Sequence, residues 1–247
     1  RRAVGGGLTE LGRRERTEQD GRWLAAPILL TLVLAALATP ERRARQRVFA
    51  EARVLAPQVI VLDPGHGGID TGAAGPAGVV EKDITLPVCV YLKEYFQQSG
   101  ARVLLVRTDD RELSEDLVED LRARVRLAKD AGATVFLSIH GNSFPSAYEY
   151  GAQTFYYPNH PASPRLARCI QDELLRLPSP LGENYRDVQE GDFHVLRNAP
   201  CPAALVEIGF LSNPREEALL ADPTYQKKLA WHIFAGTVAF LRGGGRE

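Results

Sequence analysis

The chain has 247 residues, of which 45% are hydrophobic and 25% charged, and its net charge is −1. That composition suits a globular protein with a sizeable core, and it lacks the basic balance that binding to a phosphate backbone needs, so no nucleic-acid partner is expected. Its three cysteines, Cys89, Cys169 and Cys201, are odd in number and widely spaced, which supports neither a disulfide framework nor a cysteine metal site.

In chain order, residues 1–22 form a polar, glycine- and arginine-rich tail. Residues 23–40, WLAAPILLTLVLAALATP, carry no charge over 18 positions, close to the roughly 20 needed to cross a bilayer. A signal peptide or transmembrane anchor is expected there, and the small-x-small pattern ALA at 36–38 is a place for a signal peptidase to cut. If uncleaved, the segment ties the chain to a membrane; in either case the remainder is exported. Residues 41–56 read as a charged linker or short helix, and the folded domain is expected over 57–242.

Within that domain, strand and helix patterns alternate. QVIVLD (58–63) is strand-like. Residues 81–100 place apolar side chains at helical spacing and end on Gly100, a suitable helix stop. ARVLLVRTDD (101–110) is a strand, 113–132 an amphipathic helix with Ser114 at its cap, and ATVFLSIH (133–140) a second apolar strand. AQTFYYP (152–158) alternates like a strand near an edge, 164–177 is helical, PAALVEIGFLSN (202–213) is a strand with a carboxylate inside it, and 223–243 closes the chain as a helix. The expected fold is α/β: one catalytic domain with a twisted, mostly parallel or mixed sheet and helices on both faces.

Chemistry gathers at the strand ends. In open α/β sheets, sites form at the carboxyl ends of strands. His66 directly follows the first strand and His140 ends another. Glu207 lies inside an apolar strand, where an ionised carboxylate is costly unless something compensates it. Glu81 opens the first helix of the domain and can face the same edge. Two histidines and two glutamates suit a hydrolytic zinc centre that keeps one position open for water. Asp63 and Asp70 are candidates to orient His66 as hydrogen-bond acceptors, or to cap turns.

The local wording is more specific. VIVLDPGHGGIDTGA, VVEKDITL, SIHGNS and PAALVEIGFLSNPREEALL occur in this order. The chain thereby resembles the zinc-dependent N-acetylmuramoyl-L-alanine amidases of the amidase type 3 family, over residues 58 to about 242. The resemblance implies zinc held by His66, Glu81 and His140, with Glu207 as the catalytic base and acid. It implies peptidoglycan as substrate, cut between the lactyl group of N-acetylmuramic acid and the L-alanine of the stem peptide. His194, Arg197 and Asn142 are candidate substrate contacts.

Gly141 stands where members commonly carry alanine. Only residues 176–190 separate the helix ending near Leu175 from GDFHVLRN, so the long inhibitory helix of periplasmic division amidases has no room. The chain therefore resembles the shorter sporulation-type members, including the germination-specific cortex enzymes. No wall-binding repeat is recognisable, so targeting is expected to rest on the N-terminal segment or on a separate targeting or activating protein. The competing reading is a zinc carboxypeptidase or endopeptidase acting within the stem peptide; a non-catalytic wall-binding module would be expected to lack one of the four residues.

Overall fold

The computed structural model describes residues 39–243. The polar tail and nearly all of the apolar segment expected to be a signal or anchor lie outside them. Among the described residues no helix is long and apolar enough to cross a membrane.

The described chain opens with helix α1 (Pro40–Glu51), which runs into a 3-10 turn (Ala52–Leu55). The compact unit that holds the site begins at Val48. Of the linker or short helix expected over 41–56, a helix forms, and its end packs: Ala52 and Leu55 are completely buried, and Phe49 stacks against Trp231 and Phe234 with ring centroids 5.5 Å apart. The charges of PERRARQRVFAE conceal an apolar stripe at 48, 49, 52 and 55, which is helical spacing. Each large side chain buried this way stabilises the fold by about 1.5–3 kcal/mol, so the stripe packs instead of staying solvated.

Six strands form one sheet among the described residues, in the order β2-β1-β3-β6-β4-β5. They are β1 (Val59–Pro64), β2 (Arg102–Leu105), β3 (Val135–Asn142), β4 (Gln153–Tyr156), β5 (Gln189–Glu190) and β6 (Ala203–Phe210). Strands β2, β1, β3 and β6 run parallel. β4 is antiparallel to β6, and the two-residue β5 runs alongside it at the edge. The sheet is thus mixed, as expected, and β5 is too short to leave a periodic signal. The helices that follow are α2 (Glu81–Gln98), α3 (Leu117–Asp130), α4 (Ser163–Leu174), α5 (His194–Arg197), α6 (Pro214–Leu220) and α7 (Pro223–Leu241). No helix lies between Leu174 and His194, where a plug would have to sit.

Side chains alternate across the sheet and bury two cores. Ile60, Leu62, Leu137, Ile139, Val206 and Ile208 join α2, α4 and α7 on one face. Val61, Phe136 and Leu205 join α3 and α5 on the other. α2 is helical because Ile84, Val88, Leu92 and Phe96 recur every four residues on its buried face, with Glu81 and Asp83 acidic in its first turn. Gly100, at φ +88°, follows its end as expected. α3 is capped by Asp116, whose side chain accepts from Glu119 N at 2.8 Å, and not by Ser114. Ser114 instead accepts from Asp116 N, two residues too early to cap.

Candidate metal centre and active site

The strand period fixes two of the key residues together. His140 and Glu207 are register partners on adjacent parallel strands. Their parity with Phe136 and Leu205 puts both on the α3 face of the sheet. β1 delivers His66 two residues past its end, and the first residue of α2 is Glu81. One donor atom from each of His66, Glu81 and His140 lies within 4.8 Å of the others. Glu81 Oε1 is 3.0 Å from His66 Nε2 and 2.9 Å from His140 Nδ1. Two imidazole nitrogens and a carboxylate oxygen converging on one point are the donor set of a hydrolytic zinc site, so these residues fit that ion.

Each candidate ligand is fixed by its other bonds. His66 Nδ1 donates to Asp70 Oδ2 at 2.8 Å, which leaves Nε2 to face Glu81. Glu81 Oε1 accepts from Gly141 N and Oε2 from Ala73 N, both at 2.9 Å. His66 itself sits at φ +61°, a left-handed conformation uncommon outside glycine. Gly65 allows the ring of His140 to approach, because a Cβ there would lie 2.4–2.7 Å from three atoms of that ring.

Two buried arginines hold the turn at residues 64–66, and nothing in the sequence reading singled them out. Arg124, on α3, donates to Asp63, Pro64 O and His66 O at 2.8–2.9 Å and also pairs with Asp120. Arg107 donates to Pro64 O, Gly65 O, Lys82 O and the Thr85 hydroxyl. Asp63 therefore serves Arg124 and Ser138, the latter at 2.8 Å, while Asp70 alone takes the orienting contact to His66. In the sequence, the only trace of Arg124 is a cation on the apolar stripe of α3.

The two carboxylates of the site are tuned apart. Burial favours protonation of both. For Glu81 the neighbouring His140 and His66 override burial and hold the carboxyl well below its usual range. For Glu207 burial dominates and pushes the carboxyl up to about 7. His66 is opposed by burial too, yet Glu81 and Asp70 raise it to about 9. Glu207 Oε2 is buried without a hydrogen-bond partner among the described residues. An orphaned acceptor beside three converging donors is poised for a proton that the protein itself does not supply.

A cavity of about 230 Å³ opens at this point, lined among others by His66, Asp70, Arg124, His140 and His194. His194, at the start of α5, thus borders the cleft. Arg197 does not line this cavity; it is exposed and pairs with Asp192 at 2.9 Å. Asn142 is half-buried at the end of β3, where its carbonyl accepts from Leu211 N. His160 accepts from Ala162 N in a loop, and His232 lies 3.7 Å from Glu173 on α4. Cys89, Cys169 and Cys201 are all buried and free, and none joins the site.

A mixed α/β sheet that brings two imidazoles and two oppositely tuned carboxylates to its carboxyl edge defines a hydrolase with a candidate metal centre. Residues 60–238 match the family model described as N-acetylmuramoyl-L-alanine amidase. The chain is 38% identical over 199 residues to the germination-specific N-acetylmuramoyl-L-alanine amidase of Bacillus subtilis, covering 77% of this chain and 83% of that protein. It is 35% identical over 187 residues to the amidase LytC of the same organism, covering 75% of this chain and 36% of LytC. Among solved structures it is similar to the CwlD amidase from Clostridioides difficile, determined in complex with the GerS lipoprotein, with TM-score 0.71, 39% identity, and coverage of 75% of this chain and 99% of that one. The chain belongs to the N-acetylmuramoyl-L-alanine amidase family.

Proposed function

We propose that this amidase is zinc-dependent and hydrolyses the amide between the lactyl group of N-acetylmuramic acid and the first residue, L-alanine, of the stem peptide. The observation that carries this reading is the convergence of His66, Glu81 and His140 within 4.8 Å, with the unpartnered Glu207 carboxylate beside them. Zinc, when bound, supplies Lewis acidity that activates water and polarises the scissile carbonyl. The protein's own residues do the rest. Asp70 holds the His66 ring so that Nε2 is presented to the cleft. Gly141 N and Ala73 N orient the Glu81 carboxylate. Glu207 takes a proton from the attacking water and returns it to the leaving L-alanine nitrogen.

The relatives include germination-specific and cell-wall amidases by name, which supports action outside the cytoplasm. Residues 23–40 are read as the signal or anchor that takes the domain there. The absence of a helix between Leu174 and His194 supports a cleft that works without an activator. A separate protein could still serve targeting; the similar CwlD amidase is itself found in complex with a lipoprotein.

The test is digestion of purified sacculi and spore cortex, with product analysis by mass spectrometry. Release of intact stem peptides beginning with free L-alanine supports the amidase reading, whereas fragments cut within the peptide point to the competing peptidase. Glu207→Ala is expected to keep zinc but lower turnover by about 10²–10⁴-fold, the usual contribution of a general acid–base. Substantial turnover by Glu207→Ala would remove Glu207 from its assigned role.

A further inference from the structure

The motif GFLSNPREEALL contains two adjacent glutamates that the reaction does not use. Glu216 and Glu217 lie on α6, and each is only 1% exposed. Two neighbours on a helix point about 100° apart, so they reach different surroundings. Among the described residues, every hydrogen bond these two side chains accept comes from a backbone N–H group of a segment flanking the site.

Glu217 accepts from Ala77 N through both oxygens, at 3.0 and 2.9 Å, and from Val79 N at 3.1 Å. That loop enters α2, where Glu81 is the first residue. Gly75 N and Val79 O close the loop at 2.8 Å, and a Cβ on Gly75 would lie 2.2 Å from Glu217 Oε1. Glu216 accepts from Phe210 N at 2.8 Å and from Gly151 N at 3.0 and 3.2 Å. Phe210 ends β6, just past a register shift against β3, and Gly209 there adopts φ +151°. The shift lies between the His140–Glu207 pair and the next one, Asn142–Phe210. Bulges of this kind re-aim the side chains beside them. Gly151 begins the approach to β4, whose Gln153 is the register partner of Glu207 on its other side.

We propose that Glu216 and Glu217 are positioning residues for the amidase reaction: Glu217 fixes the loop that delivers the metal ligand Glu81, and Glu216 fixes the strand irregularity that aims Glu207. One helical step on α6 thereby sets the spacing between ligand and base. A buried carboxylate committed to backbone N–H groups is a firmer anchor than a flexible loop could provide for itself. The inference rests on the zinc-amidase reading given above.

The experiment compares the wild-type protein, Glu217→Gln and Glu216→Gln, each first checked by circular dichroism and thermal melting. Zinc affinity is read by competition with a chromophoric chelator, and kcat and KM by release of stem peptide from sacculi. Glu217→Gln is expected to weaken zinc about tenfold or more, as loss of an outer support typically does. Glu216→Gln is expected to keep zinc affinity within about twofold and to lower kcat about tenfold at unchanged KM. Gly75→Ala, which crowds Glu217 from the opposite side, is expected to reproduce the loss of zinc affinity and supplies the measurement if Glu217→Gln does not fold; Glu216→Asp does the same for Glu216. Variants that melt earlier but change neither quantity, or that change both quantities in parallel, overturn the proposal. A wild-type protein that binds no zinc or leaves sacculi intact would instead overturn the underlying reading.

Discussion

The carboxyl ends of β1 and β6 sit at one edge of the sheet and are built in opposite ways. The β1 end is closed. Its three carbonyls, at Pro64, Gly65 and His66, are all taken by Arg107 or Arg124, and the His66 ring is held by Asp70. At β6 the backbone is anchored, yet the Glu207 side chain keeps a buried oxygen with no partner among the described residues. The contrast fits the roles proposed for the two residues, a metal ligand at His66 and a general base at Glu207. A metal ligand must stay in one orientation, so its free lone pairs and donors are bound up. A general base must exchange a proton in every cycle, and a satisfied carboxylate in a tight pair would be too weak a base to do so. Burial without a partner pushes Glu207 up to about 7, whereas its neighbour Glu81, with two imidazoles against it, is held low.

Breaking the closed end should be costly. His140→Ala removes one of the three donors, and both zinc binding and turnover are expected to fall to background; metal analysis and sacculus digestion check this. Arg124→Met leaves Asp63 and Asp120 buried without their cation. A loss of about 3–5 kcal/mol is expected, since removing one partner strands the other charges, and the urea unfolding midpoint of the metal-free protein measures it. Asp70→Asn keeps the shape but replaces the acceptor that fixes the His66 tautomer. Zinc affinity is expected to drop about 10–100-fold with little change in unfolding midpoint. Equal affinity would mean that Arg124 and the backbone alone orient the ring.

The smallest effect is expected on β3, between the two ends. Gly141→Ala would place a Cβ 3.0 Å from Ile84 Cδ1 and 3.3 Å from Leu211 Cδ1, both far ends of side chains, and in ordinary contact with Glu81 Cγ at 3.4 Å. A cost of about 1 kcal/mol is expected, with zinc affinity unchanged because Gly141 N still reaches Glu81. A large loss of affinity would show that β3 has no more slack than β1.

Part of this contrast was legible in the sequence. A histidine straight after an apolar strand, another at the end of a strand, and a glutamate inside one are each out of place for packing, and that misplacement is what exposes them. Arg107 and Arg124 gave no such signal, because an arginine on an amphipathic helix or after a strand looks the same whether it is solvated or buried. Asp63 and Asp70 were equivalent in sequence as supports for His66. Only the fold separates them, since α3 brings Arg124 to Asp63. The apolar stripe of α1 was masked in the same way by the surrounding charges.

By itself, then, the sequence determined the alternation of strands and helices and the four residues at the sheet edge, because hydrophobic periodicity and chemically misplaced side chains are local properties. The tertiary structure decided which partners hold those residues, where the compact unit begins, and that Glu216 and Glu217 serve two separate loops. Those outcomes depend on contacts between segments as far apart in the chain as Phe49 and Phe234, and no local pattern in the chain records which distant group a side chain will meet.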